Sequence, residues 1–345
     1  MPDLGRQESR IPVLLVQNPG HQSSCRQHST RGQGGGEAGL DFGSGWDLIL
    51  PAGWSMAFWI ALIYRGAKAV GLREQRSLAF EAGELTFPDC SPDTPSSAEI
   101  NSTRAAELRS AYFRRPPAKR CNYDKMGVPT PFHCPWMELV REWILSCDDS
   151  KDRDLNEQLF YCVRNRKLLR LLNDACTGVA SQTKSSRRNS VPEACASANV
   201  LTALLQSSHA IVEVRVVMFG RGAPSQFALI SLPMQKDVVD TAHKRNRDRD
   251  FIEGLVESIH RKSSDTTDPK PTGVLGSAVR PTIGFIVEGG YSHATGKGSG
   301  VGFVSAVGLR KVLEQRAEPA GCSMVLVRST QSLQYRPAAL HVVIQ

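Results

Sequence analysis

Ile211–Phe219 reads IVEVRVVMF, a β-branched and apolar run of strand length. Comparable runs follow at Gln226–Leu232, Pro281–Glu288 (PTIGFIVE), Cys322–Arg328 (CSMVLVR) and Ala339–Ile344, and each is expected to be a strand. Val301–Arg316 has helical spacing, and 261–278 is a polar loop. Upstream of this β-rich stretch the pattern changes. A helix is expected over Ala98–Arg114, stopped by Pro116 and Pro117, because a residue preceding proline is pushed out of the helical region. A second, amphipathic helix is expected over Asp152–Asp174, with an apolar stripe from Leu155 to Leu172, Arg164, Arg166, Lys167 and Arg170 beside it, and Gly178 as its stop. The alternation predicts an α+β fold with a mixed or antiparallel sheet, and no repeat at a solenoid period is present.

Composition narrows the chemistry. Of 345 residues 41% are hydrophobic, which excludes wholesale disorder. Lys plus Arg (42) exceed Asp plus Glu (34), so the net positive field at neutral pH favours an anionic partner. The 9 cysteines are odd in number, scattered, and form no C-x-x-C pair, which argues against a disulfide framework or zinc ribbon and for a reducing compartment. The histidines show no H-x-x-x-H or H-E-x-x-H spacing, and no G-x-S-x-G elbow occurs. No residue is nominated as catalytic, none as a metal ligand, and no cofactor is expected.

Leu48–Tyr64, LILPAGWSMAFWIALIY, is 17 residues without a charge. A membrane span of ~20 residues would have to include Asp47 and would carry Pro51 and Gly53 near its start, where backbone groups go unsatisfied in lipid. The expected arrangement is instead a strand (Trp46–Leu50), a Pro-Ala-Gly turn, and a buried helix from Ser55 to Lys68 with Ser55 as N-cap and Gly71 as stop. The tryptophans fall in two blocks, Trp46, Trp54 and Trp59, then Trp136 and Trp143, and core packing is the reading for most of them. No signal peptide is expected from MPDLGRQESRIPVLLV, and a strand at Ile11–Gln17, so near the first residue, suggests a truncated chain.

Two segments could meet an anion. Arg104–Lys125, RAAELRSAYFRRPPAKRCNYDK, holds 7 basic and 2 acidic residues interleaved with Tyr112, Phe113 and Tyr123. Cations that neutralise phosphates, with aromatic faces that stack bases, are how an RNA contact is built. The Pro-Pro break makes Arg114–Arg120 an extended, protruding element, against the alternative of a solvated helix end. Gly289–Gly302, GGYSHATGKGSGVG, fails as a P-loop because five residues, not four, separate Gly290 from Gly296, and Gly298 rather than Ser or Thr follows Lys297. A tight strand-to-helix connection is expected there, with close approach to a nucleic-acid backbone as a further use.

Beyond these features, Gly43–Glu74 (GSGWDLILPAGWSMAFWIALIYRGAKAVGLRE), Phe87–Cys90, Arg114–Trp143 (RRPPAKRCNYDKMGVPTPFHCPWMELVREW), Ile283–Leu309 and Met324–Arg336 (MVLVRSTQSLQYR) resemble, in order, the POPLD-domain family, the largest protein subunit of eukaryotic ribonuclease P and ribonuclease MRP. The resemblance implies a non-catalytic scaffold in a nuclear and nucleolar ribonucleoprotein whose RNA carries the active site. The implied partners are RNase P RNA, RNase MRP RNA and the smaller protein subunits, with precursor tRNA met indirectly and no membrane. The implied processes are removal of precursor tRNA 5′ leaders and precursor rRNA processing. Carried over by position, the family's basic segment falls on Arg114, Arg115, Lys119, Arg120 and Lys125. The C-terminal part is also similar in fold to the folate-binding domain of aminomethyltransferases. The family's basic N-terminal half has no counterpart here, and residues 21–39 do not match it.

The expected organisation is a lead strand (1–20), a flexible insertion (21–39), a POPLD-like domain (40–180), a Ser/Arg-rich linker (181–199) and a β-rich C-terminal domain (200–345). Two other functions compete with RNA binding. One is a protein-docking module that uses the tryptophan blocks. The other is a folate-dependent one-carbon enzyme with Asp47 or Glu288 facing a pocket.

Overall fold

The computed structural model describes residues 11–19, 44–147, 160–177, 202, 204, 207–234, 273–274, 280–315 and 323–344. The expected insertion at 21–39, the linker at 181–199 and nearly all of the loop at 261–278 lie outside them. The chain divides into two compact units, residues 1–82 and 83–345.

In the first unit, β1 (Leu14–Pro19) pairs antiparallel with β2 (Ser44–Ile49), placing Leu14 opposite Ile49. Gly53, at φ +90°, makes the turn into α1 (Ser55–Tyr64), and α2 (Leu72–Ala82) follows. Ser55 is the first helical residue rather than the cap: Trp54 holds that position, with no side-chain bond. The helix ends at Tyr64, with Arg65 as its C-cap before Gly66 at φ +93°, earlier than Gly71. The expectation of a buried helix is overturned, since no residue of α1 is buried and Trp54, Met56, Trp59, Ile60, Leu62, Ile63 and Tyr64 are exposed. A two-stranded sheet and two short helices have too little surface to enclose a helix that is apolar all round. At 10 residues α1 is also too short to cross a bilayer, and no described helix is long and apolar enough to do so.

The second unit opens with α3 (Pro95–Arg114), α4 (Trp136–Cys147), β3 (Tyr161–Cys162) and α5 (Arg166–Thr177). It continues with β4 (Ala210–Met218), β5 (Leu229–Ser231), β6 (Thr282–Ser292), β7 (Lys297–Ser305), α6 (Ala306–Glu314), β8 (Met324–Arg328) and β9 (Tyr335–Val342). Six strands pair antiparallel in the order β4-β7-β6-β5-β8-β9, and β9 returns to β4. The sheet therefore closes into a barrel and leaves no edge among these six. β3 adds to the start of β4 in parallel, completing the mixed sheet of an α+β fold.

Every residue of β4 is buried, so both faces of the strand are covered. The two charged residues in its otherwise apolar run, Glu213 and Arg215, are enclosed with it, Arg215 donating from Nε to the Ser299 hydroxyl at 3.2 Å. Outside the barrel, α4 lies on β6 and β7, α5 on β9, and α6 on β4, β6 and β7. Trp136 of α4 meets Phe285 and Phe303 edge-on at 5.7 and 5.6 Å. Trp143, 2% exposed, donates its indole N–H to the Thr282 carbonyl at 3.1 Å and lies beneath Lys311. Core packing thus holds for the second tryptophan block and fails for the first, where Trp46, Trp54 and Trp59 are exposed.

The glycine-rich segment is a β-hairpin, not a strand-to-helix connection, and Val301–Ser305 is strand rather than helix. Glycine is required because the chains run so close: a Cβ on Gly302 would sit 2.1 Å from the Phe285 carbonyl oxygen, and one on Gly298 2.1 Å from that of Gly222. The helix begins only at Ala306, where the Ser305 hydroxyl accepts the Gly308 N–H at 2.9 Å. β5 is shorter than its apolar run because Phe227 adopts φ +61°.

Asp93 ties the loop before α3 to β3. Its carboxylate accepts from both terminal nitrogens of Arg164, 2.8 Å for Nη1 to Oδ2, and from the Cys162 N–H at 3.0 Å. Burial works to raise the Asp93 pKa, but the hydrogen bonds from Arg164 and Cys162 outweigh it and hold the group below its usual value. The folded protein therefore binds this proton less readily than the unfolded chain. The pair stabilises the fold above the unfolded carboxyl pKa of about 3.9, and that contribution is lost as pH falls through the lower folded value. Asp93→Asn should lower the urea midpoint at pH 7, with the gap to wild type closing in acid. A gap as wide at pH ~2 as at neutrality would show that the charge is immaterial.

Candidate nucleic-acid interface

The basic strip forms a hook at the C-terminal end of α3. Arg115 precedes Pro116 and leaves the helix for an extended conformation (φ −73°, ψ 144°). Pro117–Lys119 then makes one 3₁₀ turn, after which Arg120 is extended again. Arg114, Arg115 and Lys119 are exposed along this hook, and Lys125 is exposed on the next turn, where its N–H bonds to Asn122 Oδ1 at 3.0 Å.

Arg120 faces the other way. Its Nε donates to the Arg115 carbonyl at 2.7 Å and its Nη2 to the Phe113 carbonyl at 2.5 Å. Its guanidinium lies over Phe113 and Tyr112, 5.5 and 5.9 Å from the ring centroids. Arg120 is therefore a strap that closes the hook onto the helix end, where unpaired carbonyls attract a cation. Arg104, also in the strip, pairs with the buried Asp89 at 3.5 Å.

The interleaved aromatics are committed in the same way. Tyr112 packs at 5.3–5.5 Å on Phe113, Tyr123 and Phe132, and its hydroxyl donates to the Cys121 carbonyl at 2.7 Å. Tyr112 and Tyr123 are half-buried in this cluster, which leaves Phe113, 57% exposed, as the aromatic face a base could reach. The expectation that all three offer stacking surfaces is corrected accordingly.

One residue that anchors the strip escapes a sequence reading. Arg328, 1% exposed at the end of β8, donates to the Met126 carbonyl at 2.5 Å and the Gly127 carbonyl at 3.2 Å, with its guanidinium over Tyr335. It holds the Lys125 turn on the barrel, and desolvation by burial lowers its pKa. Its sequence signal was slight: a lone cation closing an apolar strand.

A groove of about 1270 Å³ runs between α3 and residues 121–138. Cys121 and Cys134 line it, and burial pushes both thiols above their ordinary pKa, away from the nucleophilic thiolate. Asp47 in β2 and Glu288 in β6, proposed for a folate site, are not among its lining residues. Among the described residues no three His, Cys, Asp or Glu side chains converge as metal ligands.

Residues 45–136, which contain the hook, match the POPLD (NUC188) domain, and residues 255–344, which include β6 to β9, match the POP1 C-terminal domain. The chain belongs to the POP1 family. The human Ribonucleases P/MRP protein subunit POP1 is 26% identical across 98% of this chain and 42% of its own length. The Caenorhabditis elegans Ribonucleases P/MRP protein subunit popl-1 is 26% identical across 74% of this chain and 28% of its own. The Arabidopsis thaliana POP1 subunit reaches 40% identity over 90 residues, 26% of this chain and 11% of its own. The chain thus spans less than half the length of these POP1 relatives.

Proposed function

We propose that this POP1-family chain is a non-catalytic, RNA-binding scaffold subunit of the RNase P and RNase MRP ribonucleoproteins. It acts in the nucleus and nucleolus, where the RNA component performs catalysis, and supports precursor tRNA 5′-leader removal and precursor rRNA processing. The observation that carries the reading is the hook: Arg114, Arg115, Lys119 and Lys125 are exposed on a backbone held by Arg120, the Tyr112 cluster and Arg328. Cations on a rigid support lose little freedom when they meet phosphates, and each contact releases condensed counterions. In an electrophoretic shift titration the 345-residue chain should bind an RNase P RNA transcript, with affinity falling steeply as salt is added. An affinity that is negligible at low salt, or indifferent to salt, would overturn the proposal.

The exposed apolar side of α1, with Trp54 and Trp59, supports a second role for the chain, docking the smaller protein subunits. Copurification with those subunits but not with RNA after nuclease treatment would favour docking as the sole function.

A further inference from the structure

The barrel topology brings a second cationic surface together, one that the hook does not account for. Three connections leave the barrel at the same end, those from β4 to β5, from β6 to β7 and from β8 to β9. Val217 at the end of β4 lies opposite Ser299 at the start of β7, and Met218 lies opposite Ala338 near the start of β9. Arg328, the last residue of β8, pairs with both Leu229 and Tyr335, the first residues of β5 and β9.

The segments that build this end are 219–228 (FGRGAPSQFA), 289–300 (GGYSHATGKGSG) and 329–338 (STQSLQYRPA), and none contains Asp or Glu. They contribute Arg221, His293, Lys297 and Arg336. Their mutual placement is firm: Arg336 donates to the Arg221 carbonyl, Phe219 N–H to the Pro337 carbonyl at 3.1 Å, and Gly298 presses against Gly222. Arg221, His293 and Lys297 are exposed, as are Phe219 (43%) and Tyr291 (56%), the latter with His293 packed edge-on at 5.5 Å.

We infer that this end of the barrel is a second RNA-binding surface, in which Arg221 and Lys297 contact phosphates and Tyr291 stacks an unpaired base. Cations on segments that carry no Asp or Glu of their own, with Glu288 of β6 adjoining them, beside aromatic rings exposed on a hairpin, match the needs of single-stranded RNA held by charge and stacking. The same end carries the Arg328 clamp on the Lys125 turn, which ties it to the segment that follows the hook. The inference rests on the proposed RNA-binding function and extends it to residues outside the hook.

The test uses the full chain and an RNase P RNA transcript, titrated by electrophoretic shift over a range of salt. R221E/K297E should weaken binding and reduce the slope of log affinity against log salt by about 1.4–1.8, the share of two phosphate contacts. Tyr291→Ala should weaken binding about 5-fold to 150-fold, the equivalent of ~1–3 kcal/mol of stacking, with the salt slope unchanged. Lys297→Gln, a milder substitution at the hairpin turn, should give half the slope change of the pair with an unaltered unfolding curve. Wild-type affinity and slope in all three variants, alongside weakened binding when the hook cations are removed, would overturn the inference and leave the proposed function standing. An acidic protein segment would then be the better occupant. Loss of RNA binding in the barrel-end variants with the hook variant unaffected would uphold it and move the main contact here. No measurable binding by the wild-type chain would overturn both.

Discussion

Replacing Arg114, Arg115, Lys119 and Lys125 together by alanine should reduce the salt slope for RNA binding by about 3, because each phosphate contact contributes roughly 0.7–0.9 to it. The ionic part of the affinity vanishes near 1 M salt, so at ~0.1 M the same substitutions should weaken binding by up to about a thousandfold. The four side chains are exposed, and no described backbone group depends on them, so the unfolding curve should be unmoved. Arg120→Ala should behave differently. It removes the strap from the Arg115 and Phe113 carbonyls, so it should loosen the hook while leaving the phosphate-facing charges in place. Binding should weaken with little change in salt slope, and Arg120→Lys should rescue it poorly, since an ammonium cannot reproduce the planar fork. If the fourfold variant keeps the wild-type slope, the hook is not the RNA contact.

Trp143→Ala should produce the largest loss of stability among single changes in the second unit. The indole is 2% exposed, joins α4 to the barrel, and donates to the Thr282 carbonyl at 3.1 Å. Truncating a buried tryptophan costs about 3–5 kcal/mol, and here it also removes a hydrogen-bond donor from a carbonyl. Trp143→Phe keeps most of the volume and should cost about 1–2 kcal/mol, chiefly for that lost bond. Urea unfolding followed by far-ultraviolet circular dichroism would measure both. An alanine variant within ~1 kcal/mol of wild type would mean that α4 is not integral to the barrel's core.

The strands that build the barrel were legible because β-branched, apolar runs have one physical use, burial in a sheet. Ile211–Phe219 foretold β4 to within a residue at each end. The glycine-rich stretch was misread because glycine in a strand carries no propensity signal: what Gly298 and Gly302 provide is room for a neighbouring backbone, visible only once that neighbour is in place. α1 was misread for a related reason, since an all-apolar helix signals something to bury against without saying what. For the hook, charge and the Pro-Pro break were enough to mark a protruding cationic element. They could not separate Arg120, turned inward to two carbonyls, from Arg115, which is exposed, because residue type does not reveal which acceptors lie within reach.

By itself the sequence determined the family, the α+β class, the position of the cationic strip and the helix break within it, all of which depend on local composition and on order along the chain. Only the tertiary structure decided that the strands close into a barrel, that Arg328 clamps the Lys125 turn, and that Arg221, Lys297 and Arg336 share one end. Those outcomes depend on register between segments distant in sequence, and register is set by the burial of many side chains at once.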